Sequence, residues 1–112
     1  MKASLGSLLA QLPGPQTEKW PDGEPFVGVF GHGTMSVEVF APRGTDHQQP
    51  HTQDELYFIM SGHADFVREG RRAPISLGDM LFVPAQQRHH FENISKDFIA
   101  WVVFWGPNGG ER

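Results

Sequence analysis

The chain has 112 residues, nine Lys and Arg against thirteen Asp and Glu for a net charge of −4, and no cysteine. That length gives one domain, which buries roughly 65% of its unfolded surface. The missing cysteines exclude disulfide frameworks, thiolate zinc sites and cysteine nucleophiles, and the acidic balance, with no basic cluster larger than Arg71–Arg72, argues against a nucleic-acid or anionic-membrane partner.

Leu5, Leu8, Leu9 and Leu12 fall at i, i+3, i+4 and i+7. This is one stripe of a short helix, with Ser4 as N-cap and Pro13-Gly14 as stop. So short a helix must dock its leucines on a sheet or a partner subunit. The stretch MKASLGSLLAQLPGP carries one lysine and a short apolar patch, which does not read as a signal peptide. No apolar run reaches the length of a membrane span, and a cytoplasmic protein is expected. After a loop, strands are expected over 26–30, 35–42, 55–60, 64–69, 74–77, 79–85, 89–94 and 98–105. Glycine- and proline-containing turns punctuate them, as at Gly31-His32-Gly33, Ser61-Gly62, Glu69-Gly70 and Gly78-Asp79. Eight short strands without intervening helices read as an all-β sandwich or barrel.

The last of these strands is apolar on both faces. Phe98, Ala100, Val102 and Phe104 point one way, and Ile99, Trp101, Val103 and Trp105 the other. A sheet with one wet face would alternate apolar and polar, so both faces need cover. The barrel interior supplies one. The N-terminal helix, a second sheet or a second copy supplies the other, and a homodimer is the expectation. The organisation that follows is residues 1–24 as a helix and loop packing on the barrel or a partner, 25–106 as the barrel, and 107–112 as a flexible tail.

Two segments carry candidate chemistry. In QQPHTQDELYFIMSG, from Gln48 to Gly62, equal parity on an extended chain aims Gln49, His51, Gln53, Glu55, Tyr57 and Ile59 to one side. Pro50 weakens that parity upstream of His51. In GDMLFVPAQQRHHFEN, from Gly78 to Asn93, a strand runs to Pro84, turns, and returns with His89, Phe91 and Asn93 on one face. If the two strands are neighbours, His51, Glu55 and His89 converge. Asp54 reads as solvated, His90 as a surface or interface residue, and Tyr57 as a core residue with a satisfied hydroxyl, with a hydroxyl lining the cavity as the alternative. Phe82, Phe91 and Trp101 are candidate pocket walls, with core packing as the alternative. Asn93 is expected to bond backbone. No G-x-S-x-G elbow, phosphate loop, HExxH or EF-hand pattern occurs.

These segments resemble the two motifs of the cupin superfamily over roughly residues 26–105. Gly44, His51, Glu55 and Gly62 match the first motif in type, with Glu55-x6-Gly62 at its spacing. Gly78, Pro84, His89 and Asn93 match the second at its spacings, and fifteen residues, His63 to Leu77, form the short link of small cupins. Two positions depart. Gln49 replaces the first histidine. Gln86 replaces a turn glycine, which suggests an αR or extended backbone there.

The resemblance implies a single cupin-type antiparallel β-barrel, or jelly roll, with a short N-terminal helix. It also implies one divalent transition metal ion (Fe, Zn, Ni or Mn) at the barrel mouth. His51, Glu55 and His89 are its ligands, with Gln49 as candidate fourth ligand and Gln48 or His47 as alternatives. Two histidines and one carboxylate with open positions suit a Lewis acid or a non-haem Fe(II) centre. The expected activity is a metal-dependent dioxygenase or isomerase/cyclase acting on a small organic molecule. The alternative is a non-catalytic sensor or sugar-binding module, and a metal-free structural barrel is the third reading.

Overall fold

The computed structural model describes all 112 residues. After helix α1 (Leu5–Leu9), the chain forms β1 (Phe26–His32), β2 (Met35–Phe40), β3 (Asp54–Ser61), β4 (His63–Arg68), β5 (Arg71–Ser76), β6 (Met80–Val83), β7 (His89–Glu92) and β8 (Ile99–Trp105). A five-stranded sheet in the order β1-β2-β8-β3-β6 faces a three-stranded sheet in the order β5-β4-β7. Every pairing is antiparallel. This is the jelly-roll arrangement that the motif resemblance implies, within the sandwich-or-barrel class expected from the strand count. No helix is long and apolar enough to cross a membrane.

Side-chain parity builds the core. Phe40, Tyr57, Ile59, Val83, Ala100 and Val102 face inward from the larger sheet, and Ala64, Phe66, Ile75 and Phe91 face them from the smaller. Phe91 is the central ring, 5.2 Å from Tyr57 and Phe66 and 5.1 Å from Phe98. The register of β3 against β8 slips only between Ile59 and Ser61, so Glu55, Tyr57 and Ile59 keep one face.

The strand β5 begins three residues before its expected start. Glu69 (φ 47°) and Gly70 (φ 78°) are both left-handed, the backbone of a two-residue hairpin turn, and this pairs Arg71 with Arg68. Pro74 is tolerated because β5 is an edge strand.

The leucines of α1 are only half-buried, and the helix lies against β2. Trp20, further along the N-terminal segment, is buried. The tail, expected to be flexible, is held instead. Gly109 N–H donates to Thr52 O (2.6 Å), and Glu111 N–H donates to Asp54 Oδ2 (2.9 Å). Asp54 also accepts the Ala85 N–H at 2.9 Å. It is therefore a buried carboxylate joining three segments, and not the solvated acid expected from its neighbours.

Candidate metal centre

Glu55 sits on β3, fully buried, with its partners Val83 and Phe104 on the flanking strands. His89 opens β7 in the opposite sheet, also buried. The two therefore meet across the barrel interior and not as neighbours within one sheet. His51 lies in the loop ahead of β3, half-buried against Phe104 at a ring separation of 4.8 Å. Ligand atoms of the three residues all lie within 4.8 Å of one another. That is slightly wider than the ~4.2 Å spanned by two opposed metal–ligand bonds of ~2.1 Å.

Local hydrogen bonds fix the rings. His89 Nδ1 lies 2.8 Å from the Gln87 carbonyl. A carbonyl only accepts, so Nδ1 carries a proton and Nε2 turns toward Glu55. His89 Nε2 is 2.8 Å from Glu55 Oε1, and His51 Nε2 is 4.0 Å from Glu55 Oε2. Neither carboxylate oxygen accepts a hydrogen bond of proper geometry, even at the 2.8 Å approach. A neutral His89 would aim a lone pair at a buried carboxylate. A proton on Nε2, or a cation between the groups, relieves that repulsion. Burial opposes charging His89, but the Glu55 carboxylate at 2.8 Å outweighs it and raises its pKa. Burial lowers the pKa of His51, against the pull of Glu55. Burial thus keeps His51 neutral, while His89 favours a proton beside Glu55; two imidazoles and one carboxylate are a donor set that fits a divalent ion, which would take the place of that proton.

The glutamine at the site is Gln48. Gln49, the expected fourth ligand, is exposed, whereas Gln48 Oε1 lies 3.4 Å from His51 Nε2 and accepts the Tyr57 hydroxyl at 3.0 Å. Pro50 interrupts the extended alternation, so positions 48 and 51 converge in place of 49 and 51. His47 is exposed too, edge-on to Trp20 at 5.4 Å.

Asp46 aims the Gln48 amide. Its carboxylate accepts the Gln48 backbone N–H (3.1 Å), the Gln48 side-chain NH₂ (2.5 Å) and the Phe91 N–H (3.0 Å). Sequence reasoning missed Asp46. The available signal was an aspartate two residues ahead of a loop amide, an Asx-turn pattern.

Tyr57 is both core and site. Its hydroxyl lies 3.0 Å from His89 Nε2, and burial with the Glu55 and Asp46 charges pushes the phenol well above its usual range. Gln86 keeps the left-handed backbone of the glycine it replaces, at φ 69°, contrary to the expected αR or extended form. Its N–H bonds the His51 carbonyl at 2.7 Å, and this tertiary bond secures the His51 loop. Asn93 bonds the Asp65 carboxylate at 2.7 Å and not the backbone. Phe82 is exposed and Trp101 lies on the outer face, so neither forms a pocket wall; Phe91 is core.

A cavity of about 330 Å³ reaches the cluster at His51, at the small end for a ligand site, where about 300–1,000 Å³ is usual. His51, Gln48, Tyr57, Phe104 and Glu38 line it, with Lys19 among the residues around it. A larger cavity, about 580 Å³, lies under the N-terminal segment and contains none of the cluster. Its size does not outweigh the missing chemistry.

Residues 36–105 match the family profile described as the Cupin domain. The protein belongs to the cupin family. Among relatives, this cupin is 40% identical over 75 residues to an uncharacterised protein of Streptomyces coelicolor, covering 65% of this chain and 71% of that one. It is 31% identical over 84 residues to the dimethylsulfoniopropionate lyase DddQ of Ruegeria pomeroyi, covering 70% of this chain and 41% of the lyase. The crystal structure of that lyase superposes with a TM-score of 0.60 at 26% identity, over 74% of this chain and 48% of the other. An acireductone dioxygenase of Acidiphilium cryptum is 32% identical over 100 residues, 74% of this cupin and 54% of that enzyme. The chain thus spans about half the length of the two enzymes it resembles.

Proposed function

We propose that His51, Glu55 and His89 hold one divalent transition metal ion (Fe, Zn, Ni or Mn), and that the protein is a metal-dependent enzyme acting on a small organic molecule, of dioxygenase or isomerase/cyclase type. The observation that carries this is the buried Glu55 carboxylate, without a hydrogen bond and flanked by two imidazole nitrogens. A metal-free structural barrel gains little from such a group, because burying a carboxylate is costly even when an imidazolium partners it. Gln48 replaces Gln49 as the candidate fourth donor. When bound, the ion supplies Lewis acidity, with open positions for oxygen ligands of a substrate. Similarity to a lyase and to a dioxygenase supports an enzyme over a non-catalytic ligand-binding module.

Metal analysis of untagged protein tests this reading. One equivalent after reconstitution is expected, with at least tenfold weaker uptake in His51→Ala and His89→Ala. Metal at 100 times Kd should raise the unfolding free energy by about 2.7 kcal/mol in the native sequence alone. Less than about a tenth of an equivalent in the native protein, or full uptake in either variant, refutes it.

Assembly and location belong to the same proposal. The outer face formed by β3, β6 and β8 carries Leu56, Phe58, Met60, Met80, Phe82, Trp101, Val103 and Trp105, with the buried Asp54 carboxylate at its edge beside Trp105. Phe58, Met60, Met80 and Phe82 are exposed there. An apolar patch of this kind supports a homodimer. The cysteine-free sequence supports a cytoplasmic setting, checked by cell fractionation.

A further inference from the structure

The cavity contains a second carboxyl group outside the ligand cluster. Glu38 sits on β2 with inward parity, between Val37 and Val39 of the outer face, and its cross-strand partner Val102 is in turn the partner of Tyr57. Two strand spacings of ~4.8 Å therefore separate its backbone from that of Tyr57, with the open cavity above the row. Glu38 is half-buried and shares the cavity lining with His51 and Tyr57. Burial acts on its carboxyl first, then the like charges of Glu55 and Glu24; no cation or hydrogen-bond donor offsets them. Lys19 is part of the same lining, but its ammonium stacks toward the Trp20 ring. A barrel wall at this position is more stable with an apolar side chain, so the carboxyl is a costly group facing a ligand-sized space.

We propose that Glu38 is the proton-transfer group of this site, acting on a substrate with an acidic C–H between a hydroxyl and a carbonyl, an α-hydroxy aldehyde or ketone. This rests on the metal reading above, since His51, Glu55 and His89 would hold the ion beside the substrate oxygens. The Glu38 carboxylate takes the proton from the hydroxyl-bearing carbon. The C–H electrons become the C=C bond as the carbonyl π electrons move to its oxygen, giving an enediolate. The remaining hydroxyl proton passes to that oxygen, the freed oxygen lone pair forms the new C=O, and the C=C electrons take the proton back from the Glu38 carboxyl at the former carbonyl carbon, completing an isomerisation with no oxidant or reductant. In the metal-free protein burial, then the like charges of Glu55 and Glu24, push the Glu38 carboxyl up from 4.5 to about 7; burial, the largest cause, moves it toward the range that suits an acid–base group with or without an ion on Glu55.

The test is deuterium uptake from D₂O into dihydroxyacetone and glycolaldehyde, read by mass spectrometry with the metal-reconstituted protein, alongside metal content. The native protein is expected to exchange carbon-bound hydrogen, and Glu38→Gln to do so at least 100-fold more slowly while binding one equivalent of metal. Glu38→Asp should restore part of the rate. Infrared difference spectra of the metal-free protein at pH 6 should show a protonated carboxyl stretch that Glu38→Gln abolishes. Metal-loaded protein without exchange, equal exchange in Glu38→Gln, or no carboxyl band attributable to Glu38 overturns the proposal. Failure to take up metal instead refutes the metal reading and is seen separately, in the metal content.

Discussion

Replacing Glu38 with glutamine should stabilise the metal-free protein, and only at neutral to alkaline pH. The carboxyl titrates at about 7 in the folded protein against an ordinary 4.5. At ~1.4 kcal/mol per pH unit that displacement corresponds to at most about 3.5 kcal/mol. Glu38 is half-buried, so water screening reduces the expectation to roughly 1–3 kcal/mol. The sign follows from proton binding. Below 4.5 both states hold the proton and the group costs nothing. Between 4.5 and about 7 the unfolded chain releases its proton while the folded chain keeps it, so stability falls as pH rises. Above about 7 the full cost applies. Glutamine keeps the shape and cannot ionise. Urea unfolding of both proteins with chelator present, at pH 4.5 and pH 8, checks this. Equal stability is expected at the lower pH, with a gain for Glu38→Gln of roughly 1–3 kcal/mol at the higher and an unchanged m value. A glutamine variant no more stable at pH 8, or equally favoured at both pH values, refutes the placement of an unpaired carboxyl in this cavity.

Gly62→Ala should destabilise the barrel by about 2–4 kcal/mol in thermal or urea unfolding, because φ is +76° and an added Cβ would meet Phe98 Cα at 2.8 Å and Asp97 Oδ1 at 2.7 Å. Asp54→Ala should cost about 2–3 kcal/mol and free the tail to proteolysis, since it leaves the Ala85 and Glu111 N–H groups without their acceptor; an unchanged midpoint contradicts its bridging role. The outer face predicts a dimer by light scattering, converted to monomer by Phe58→Glu with Phe82→Glu; a native monomer refutes the assembly reading.

Much of the fold was legible because its signals are local. Each of the eight expected strands is present, with ends displaced where a turn decides them, as at Glu69-Gly70. His51, Glu55 and His89 were legible through motif spacing and do come together. Gln49 was not, because face alternation holds only along unbroken extended chain and Pro50 breaks it. Gln86 was misread because αL carries only a modest penalty, about 1–2 kcal/mol for an L-residue, and its bond to the His51 carbonyl helps offset it. Asp54 looked solvated and Asp46 carried no signal beyond its Asx-turn spacing; their burial depends on segments dozens of residues away, the tail and β7 respectively.

By itself the sequence determined the strands, the inward set Glu55, Tyr57 and Ile59, and the turn positions, since each depends on neighbours a few residues apart. Closure of the two sheets decided the rest. It set His89 across the interior from Glu55, turned Gln48 rather than Gln49 toward His51, and left Glu38 unpaired over the same cavity. Those outcomes depend on contacts between residues distant in the chain, and no local periodicity encodes which loop residue lies over a barrel mouth.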